Sequence, residues 1–268
     1  MPKRRDTASR RPTVQSNTYR FFIDADGLRE REVRIENAEL AHQIANVLRL
    51  RAGDQVLLLD NTGWQHVVTL GAIGRGWVAG AVELTELAPG EPHTKLTLYL
   101  ALTRPEKFEW VLQKGTELGV SAFVPLITER SMAGGANELN PRKIERWQRV
   151  IREAAEQSRR GKLPQLAPAL ALNAASEQAS QRGLSMLLWE GSGGQPLRQA
   201  LAAAKTASSG VDSFSVFSGP EGGFADHELE VARGYGIMPV TLGPRTLRAE
   251  TAPLAAAAAI FYEMGDME

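Results

Sequence analysis

The spacing of apolar residues changes near residue 90. Between Thr18 and Leu87 they fall in short runs separated by turn residues such as glycine, aspartate and asparagine, which is typical of β-strands. One helix interrupts them, with Asn37 as its N-cap and apolar residues at helical spacing after it. Five short strands with one helix predict a small β-barrel of a kind often used to bind RNA. The expected strands are Tyr19–Ile23, Glu32–Ile35, Gln55–Asp60, Gln65–Leu70 and Trp77–Leu84.

After a proline- and glycine-containing linker, Ala88–Pro92, strands alternate with helices. The clearest helices are Lys107–Leu118 and Pro141–Arg160, the second with proline in its first turn. Alternation of this kind predicts an α/β domain with a mostly parallel sheet covered by helices. Because connections rarely thread loops, the pattern alone favours an unknotted, doubly wound sheet. The expected strands are Leu96–Leu102, Ala122–Ile127, Ser185–Trp189, Ser213–Phe217 and Met238–Leu242.

The composition is that of an ordinary soluble globular protein, with 43% hydrophobic and 23% charged residues. No apolar run approaches the ~20 residues that span a bilayer, so no membrane segment is expected. The 268 residues include no cysteine, which excludes disulfides, thiolate metal sites and cysteine nucleophiles. The four histidines show none of the usual ligand spacings, so no metal site is expected.

Lysine plus arginine and aspartate plus glutamate each number 31, but the basic residues are clustered. Residues 1–17 carry one cluster and no apolar segment follows it, which predicts a disordered basic arm rather than a targeting signal. The helix from Pro141 to Arg160 carries the other. Such a helix face is either solvated or binds phosphates, and the sequence leaves both open.

Two loops near the C-terminal end concentrate the candidate chemistry. Gly219–Phe224 and Leu242–Ala252 each follow an expected strand and lead into an expected helix. Ligands of open α/β sheets bind beyond the carboxyl ends of the strands, so these loops should line one pocket. The first loop has three glycines in five positions, which lets backbone approach a ligand closely, and Glu221, Arg248 and Glu250 add charge beside it.

A tight strand-to-helix turn would also explain the glycines, and Glu250 could simply complement a helix dipole. The loop is neither a dinucleotide fingerprint nor a Walker loop, because Gly-x-Gly-x-x-Gly opening an early βαβ unit and Gly-Lys-Ser/Thr are both missing. A nicotinamide oxidoreductase is therefore a distant alternative.

The chain resembles, over nearly its whole length, the RsmE family of bacterial 16S ribosomal RNA uridine-N3 methyltransferases in the SPOUT superfamily. Two departures are Gly115, where the family usually has alanine, and Ala225, where it usually has a capping serine that Asp226 could replace. The matching segments are His42 with Val47–Arg49 and Gly53–Asp54, Gln113–Val120, Thr128–Ser131, Arg146–Trp147, Glu153–Arg160 with Pro164, Gly219–Phe224 and Leu242–Ala252.

The resemblance implies an N-terminal PUA-like barrel at residues 18–88. It also implies a C-terminal SPOUT domain at 95–268 whose mostly parallel sheet is tied in a trefoil knot. It further implies a cytoplasmic homodimer that acts on 16S rRNA within the small ribosomal subunit, with S-adenosylmethionine (SAM) held by the knotted loops. By correspondence, the SAM-binding residues would be Trp189, Glu190, Gly219, Pro220, Glu221, Gly222, Leu242, Gly243 and Leu247.

The reaction predicts which charged residues act. Uridine N3 attacks the methyl group only after losing its imide proton, so a permanent cation near O2 or O4 should stabilise the developing negative charge. We expect Arg248 in that role, with Arg130 as the substitute. Glu221 either accepts the proton or orients Arg248 by an ion pair. The RNA should be held by Arg49 in the barrel and, near the long helix, by Arg146, Arg159 and Arg160.

Two other functions remain open from the sequence. The chain could be another SPOUT methyltransferase that modifies transfer RNA or a ribose 2′-hydroxyl. It could also be a ribosome-assembly factor that keeps the fold without binding SAM.

Overall fold

The computed structural model describes residues 18–131, 139–206 and 211–268. The chain divides into two compact units, Met1–Pro89 and Gly90–Glu268. Their boundary falls inside the predicted linker, Ala88–Pro92. The predicted basic arm, residues 1–17, lies outside the described residues.

The first unit is built on a five-stranded sheet in the order β1-β3-β4-β5-β2. Only the β1–β3 pair is parallel, and the other pairings are antiparallel. The long β4–β5 hairpin changes register between Val67 and Val68 and between Leu70 and Ala72, and such bulges bend a strand pair. All five strands predicted here are present. Their bounds are β1 Arg20–Phe22, β2 Glu32–Ile35, β3 Gln55–Leu59, β4 Trp64–Gly74 and β5 Trp77–Leu87.

The predicted helix of this unit starts where the sequence placed it. Asn37 is the N-cap, and its side chain accepts a 3.0 Å hydrogen bond from the Leu40 amide. Helix α1, Ala38–His42, continues as a π-helical turn over Gln43–Val47. Apolar side chains of this segment and of the sheet form one core, made of Phe21, Ile23, Val33, Ile35, Leu40, Ala41, Ile44, Val56, Leu58, Val68, Leu70 and Val78.

The second unit contains an eight-stranded sheet in which every pairing is parallel. Its order is β11-β13-β10-β12-β6-β7-β8, and β9 also pairs with β7. The five predicted strands lie inside it, and three two-residue strands were not predicted. The bounds are β6 Lys95–Ala101, β7 Ala122–Ile127, β8 Gln165–Leu166, β9 Leu170–Ala171, β10 Leu184–Leu188, β11 Gln195–Pro196, β12 Ser213–Ser218 and β13 Met238–Thr241.

Helices cover both faces of this sheet, and alternate strand residues serve the two faces. Along β6, Leu98 and Leu100 pack with α2, α3, α5 and α7, whereas Tyr99 faces α4 and α6 and stacks on Phe217 at 4.3 Å. Pro105 is the first residue of α2, as is usual for proline, and α3 ends three residues before the predicted Arg160. The bounds are α2 Pro105–Leu118, α3 Pro141–Gln157, α4 Leu172–Ser180, α5 Leu197–Thr206, α6 Asp226–Gly234 and α7 Ala252–Met264.

The alanine-rich stretch of α7 belongs to this core, since Ala256 and Ala257 are completely buried. Within the described ranges, no helix has the length and apolar character needed to cross a membrane.

Candidate functional site

The two predicted loops leave the same edge of the parallel sheet. Strand β12 ends at Ser218 and β13 at Thr241, and each pairs in parallel with β10 between them. Their carboxyl ends therefore point the same way. Since ligands of such sheets bind at that edge, it is the expected location of a site.

A small cleft joins the two loops. Gly219 lines it from the first loop and Ala249 from the second. The remaining walls come from the ends of β6 and β12 and from α2, namely Leu100, Ala101, Thr103, Phe108, Val111 and Ser218. The structure thus brings the predicted loops together and adds the segment after β6 as a third wall, which the sequence interpretation had not included.

Two glycines of the first loop disfavour a side chain, Gly219 because of crowding and Gly223 because of its backbone conformation. A Cβ added at Gly219 would lie 3.2 Å from the Phe224 ring and 3.3 Å from the Gly223 backbone. Gly223 itself has a φ of +67°, which L side chains rarely adopt. The loop therefore offers bare backbone to the cleft.

Arg130, in the turn after β7, supports this loop. Its Nη1 donates to the carbonyl oxygen of Gly222 at 2.8 Å and to that of Phe224 at 3.4 Å. Its aliphatic stem lies where a Cβ on Gly222 would make contact, at 3.3 Å. One nitrogen of the exposed guanidinium is thus engaged by the loop backbone, so Arg130 supports the loop, and its role as the substitute cation stays a prediction.

Glu228 ties the same two segments together. One of its carboxylate oxygens accepts from the Ala225 amide at 2.9 Å, and the other accepts from the Glu129 amide at 2.9 Å. The expectation that Asp226 caps α6 is wrong, because Ala225 holds the N-cap position and Asp226 lies in the first turn. Glu228 reaches back to the N-cap amide instead, which fixes the angle at which the glycine loop enters the helix.

Lys107, in the first turn of α2, connects the two loops electrostatically. Its Nζ lies 3.1 Å from Glu221 Oε1 and 3.4 Å from Glu250 Oε2. The other oxygen of Glu250 lies 4.0 Å from Arg248 Nη1. We call this row of alternating charge, Glu221–Lys107–Glu250–Arg248, the charge ladder. The hydrogen bond to Glu221 is the main reason why the pKa of Lys107 is raised.

The predicted ion pair between Glu221 and Arg248 is not the one that forms. Glu221 pairs with Lys107, and Arg248 approaches Glu250. Partial burial raises the pKa of Glu221, but a hydrogen bond from its own amide and the Lys107 ammonium outweigh that effect, so the net pKa is lowered. A carboxylate with a lowered pKa is a weak proton acceptor near neutral pH, which argues against Glu221 as the general base.

The other residues predicted to bind SAM lie in the segments after β10, β12 and β13 and do not line the cleft. The Trp189 amide donates to the Val240 carbonyl at 2.9 Å, which places the loop after β10 beside the end of β13. The Trp189 indole donates to the Ser192 carbonyl at 3.2 Å. Pro220 is buried, Leu242 and Leu247 are partly buried, and Glu190, Gly222 and Gly243 are exposed.

The residues predicted to bind RNA divide into three kinds. Arg49, in the first unit, and Arg159, after α3, are exposed and have left-handed backbone with φ of 57° and 64°. Arg146 is also exposed, but its guanidinium contacts both carboxylate oxygens of Glu109 at 2.6 and 2.7 Å, which raises its pKa. Its charge is therefore already partly balanced within the protein.

Arg160 is buried, so the expectation that it contacts RNA is corrected. It is 2% exposed and pairs with both carboxylate oxygens of Glu91 at 2.8 and 3.2 Å. It also donates to the carbonyl oxygens of Thr116 and Val120, each at 3.0 Å. Arg160 thus links Glu91, near the N-terminal end of the second unit, to the C-terminal end of α2.

Across the described segments, no group of three or more histidine, aspartate or glutamate side chains is arranged to hold a metal ion.

Comparison with known proteins identifies the family. Residues 90–261 match the RNA methyltransferase domain family, which covers most of the second unit and both candidate loops. The ribosomal RNA small subunit methyltransferase E of Synechocystis sp. is 35% identical over 90% of this chain and 77% of its own length. That of Bacillus subtilis is 30% identical over 91% of this chain and 96% of its own length.

Solved structures agree over the same span. The ribosomal RNA small subunit methyltransferase E of Neisseria gonorrhoeae, bound to S-adenosyl methionine, has a TM-score of 0.78 and 27% identity, covering 91% of this chain and 97% of that chain. A Legionella pneumophila protein with the cofactor SAM bound has a TM-score of 0.80 and 26% identity over the same shares. The chain therefore belongs to the RNA methyltransferase domain family and, within it, to the ribosomal RNA small subunit methyltransferase E proteins.

Proposed function

We propose that the chain transfers a methyl group from SAM to N3 of a specific uridine in 16S rRNA of the small ribosomal subunit. The observation that carries this is the cleft at the carboxyl ends of β6 and β12, where Gly219 and Ala249 meet inside the matched methyltransferase domain. Relatives that match nearly the whole chain are named as methyltransferases of that RNA, and two solved relatives hold SAM.

The residues present suit SAM. Gly219 lines the cleft, and because a Cβ there would crowd the Phe224 ring and the Gly223 backbone, the loop keeps bare backbone that would accommodate a flat purine and its ribose. Trp189, Leu242 and Leu247 follow the ends of β10 and β13, and their partly buried apolar side chains would help to exclude water. Bound SAM would supply a sulfonium methyl group, which needs no activation by the protein.

The protein must align uridine N3 and favour loss of its proton. Holding two reactants in the correct geometry accounts for roughly 7–11 kcal/mol of barrier lowering in favourable cases. Arg248 is 81% exposed beside the cleft, so its guanidinium is free to meet uridine O2 or O4 as negative charge develops there. Glu221 would keep Lys107 in place rather than take the proton, which is then left to water.

Three finer features belong to the same proposal. The first unit acts as a PUA-like barrel that holds RNA through Arg49. The second unit is a trefoil-knotted SPOUT domain that works as a homodimer in the cytoplasm, where small ribosomal subunits are found. Arg146 and Arg159 contribute phosphate contacts, which fix register and leave base selection to the cleft.

Nucleoside mass spectrometry tests the proposal directly. Small-subunit rRNA from a strain lacking the gene should lose 3-methyluridine at one position, and the purified protein with SAM should restore it. Loss of a ribose-methylated nucleoside, or of a modified nucleoside in transfer RNA, would contradict the proposed substrate. Calorimetry with SAM provides the complementary check, since an assembly factor without enzymatic activity would bind none.

Replacing Arg248 by alanine tests the assigned cation. We expect kcat to fall by about 10²–10³, as when a single charge-stabilising group is removed from an active site. SAM affinity measured by calorimetry should stay unchanged, because the exposed Arg248 side chain is assigned to the uridine and not to the cofactor. Near-normal turnover on small subunits would show that another cation serves the substrate.

A further inference from the structure

Lys107 has no role in the reaction proposed above, although this residue contacts two members of the charge ladder, Glu221 and Glu250. We propose that Lys107 is a positioning residue for the methyl transfer, which through Glu250 sets the place of the Arg248 guanidinium beside the cleft. This inference rests on the proposed function, and the closing experiment separates the failure of the two.

The geometry gives Lys107 and Arg248 a shared partner. Glu250 directs Oε2 toward Lys107 Nζ at 3.4 Å and Oε1 toward Arg248 Nη1 at 4.0 Å. Over the described part of the chain, Glu250 is the one carboxylate within ion-pair distance of Arg248. Any movement of Glu250 therefore changes the electrostatic environment of that guanidinium.

The two middle residues of the ladder are mostly buried, whereas Arg248 at its end is exposed. The Glu250 and Lys107 side chains are 17% and 24% exposed, whereas Arg248 is 81% exposed. A long exposed arginine samples many rotamers unless a fixed charge restrains it. Glu250 provides that charge, and it is itself restrained from the protein side by Lys107.

The dependence of Glu250 on Lys107 follows from desolvation. Glu250 Oε2 is shielded from solvent and accepts no hydrogen bond from the described residues. The ammonium 3.4 Å away is the charge that compensates it. Without that ammonium the oxygen would be a buried, unpaired charge, which proteins tolerate poorly. The carboxylate would then turn toward solvent and carry Arg248 with it.

The glycine loop does not depend on Lys107 in the same way. Glu221 contacts Lys107, but Arg130 holds the loop independently through the carbonyl groups of Gly222 and Phe224. Loss of Lys107 should therefore leave SAM binding intact and affect the step that needs Arg248. We therefore expect kcat to fall while the affinity for SAM stays the same, whereas general unfolding would lower both.

The experiment compares Lys107→Met and Lys107→Arg with Lys205→Met as the matched control. Lys205 lies on α5 and pairs with Glu263, outside the cleft and the ladder. On small subunits, Lys107→Met should lower kcat by at least about tenfold while the Kd for SAM changes by less than about threefold. Lys107→Arg should recover part of the loss because it keeps the charge, and Lys205→Met should match the wild type.

A double-mutant cycle with Arg248→Ala shows whether Lys107 acts through Arg248. If it does, Lys107→Met should cause almost no further loss of kcat in the Arg248→Ala background. Should Lys107→Met fail to fold, Glu250→Gln tests the same connection and should be equally non-additive with Arg248→Ala.

Three results would overturn the inference: an unchanged kcat in Lys107→Met, a tenfold or larger loss of SAM affinity, or the same proportional loss of kcat with and without Arg248. A wild-type protein that methylates no uridine N3 would instead remove the proposed function. Because each variant is compared with an active wild type, the two failures are distinguishable.

Discussion

At the scale of single residues, adjacent arginines in this chain serve different purposes. Arg159 is exposed, whereas Arg160 is buried against Glu91 and two backbone carbonyl groups. Both were predicted from the sequence to bind RNA, since both belong to the same basic stretch. The structure separates them because the partners of Arg160 are supplied by distant segments of the chain.

The two arginines should therefore respond in opposite ways to the same substitution. Arg160→Met removes the cation from the mostly buried Glu91 carboxylate, which keeps only hydrogen bonds from the Gly161 and Lys162 amides, so the free energy of unfolding should fall by about 3 kcal/mol. Arg159→Met should change stability by less than about 0.5 kcal/mol. It should instead weaken binding to small subunits and reduce the salt slope by about one unit. Urea unfolding and binding titrations at several salt concentrations measure both effects, and equal destabilisation by the two variants would contradict the assignment.

Glu221 gives a prediction about pH. Its pKa is lowered from the ordinary value of 4.5, so its ion pair with Lys107 stabilises the folded state above that value. The contribution is lost as the pH falls through the folded-state pKa, because the carboxylate then takes up a proton. Glu221→Gln should therefore be slightly less stable than the wild type at pH 7, because solvent screens the partly exposed ion pair. In urea unfolding the difference should vanish once the pH lies below the folded-state pKa of Glu221, and a difference that persists there would show that charge is not the cause.

At the scale of elements, the loops between strands and helices carry the site. The segment after β12 is shaped by its glycines, by Arg130 from the turn after β7 and by Glu228 from α6. The glycines belong to the loop itself, whereas Arg130 and Glu228 lie outside it. The loop is thus held in one conformation by two neighbouring elements, which suits a site that must present backbone to a ligand.

A methyl group added to this loop should interfere with SAM. Gly219→Ala would place a Cβ 3.2 Å from the Phe224 ring and against the Gly223 backbone, so the loop must shift. We expect SAM affinity to fall by at least about tenfold, because the backbone contacts of a preorganised site are sensitive to small displacements. Gly234→Ala is the matched control, since a Cβ there meets nothing within 4 Å. Equal SAM affinity in both variants, measured by calorimetry, would place the cofactor elsewhere.

At the scale of the whole molecule, the cleft and the charge ladder lie entirely within the second unit, Gly90–Glu268. Each unit also has its own apolar core. The division of labour proposed above, in which the first unit contributes to RNA binding and the second to the reaction, is compatible with that independence.

Truncation tests the division. A protein of residues 90–268 should fold alone, as units with their own core do, and bind SAM within about threefold of the full chain. Its affinity for small subunits should fall by more than about tenfold, because the phosphate contacts of the first unit are gone. Unchanged affinity for subunits would remove the first unit from RNA binding.

Much of this architecture follows from the sequence by itself. Runs of apolar residues bounded by glycine, aspartate and proline predicted all five strands of the first sheet and five of the second, since strand formation depends on local alternation and local turns. The position of ligand loops at the carboxyl ends of parallel strands then located the glycine loop and the Arg248 loop. Lys107 follows the end of β6 in the same way, so that rule applied to every strand would have included it.

The pairing of charges was decided only by the tertiary structure. Which carboxylate meets Lys107, why Glu250 rather than Glu221 faces Arg248, and why Arg160 is buried all depend on side chains that are far apart in sequence, such as Arg160 and Glu91, which are 69 residues apart. Local propensities carry no information about such distances. Ion pairing selects partners by a few ångströms of geometry, and that geometry exists only after the sheet has brought its loops to one edge.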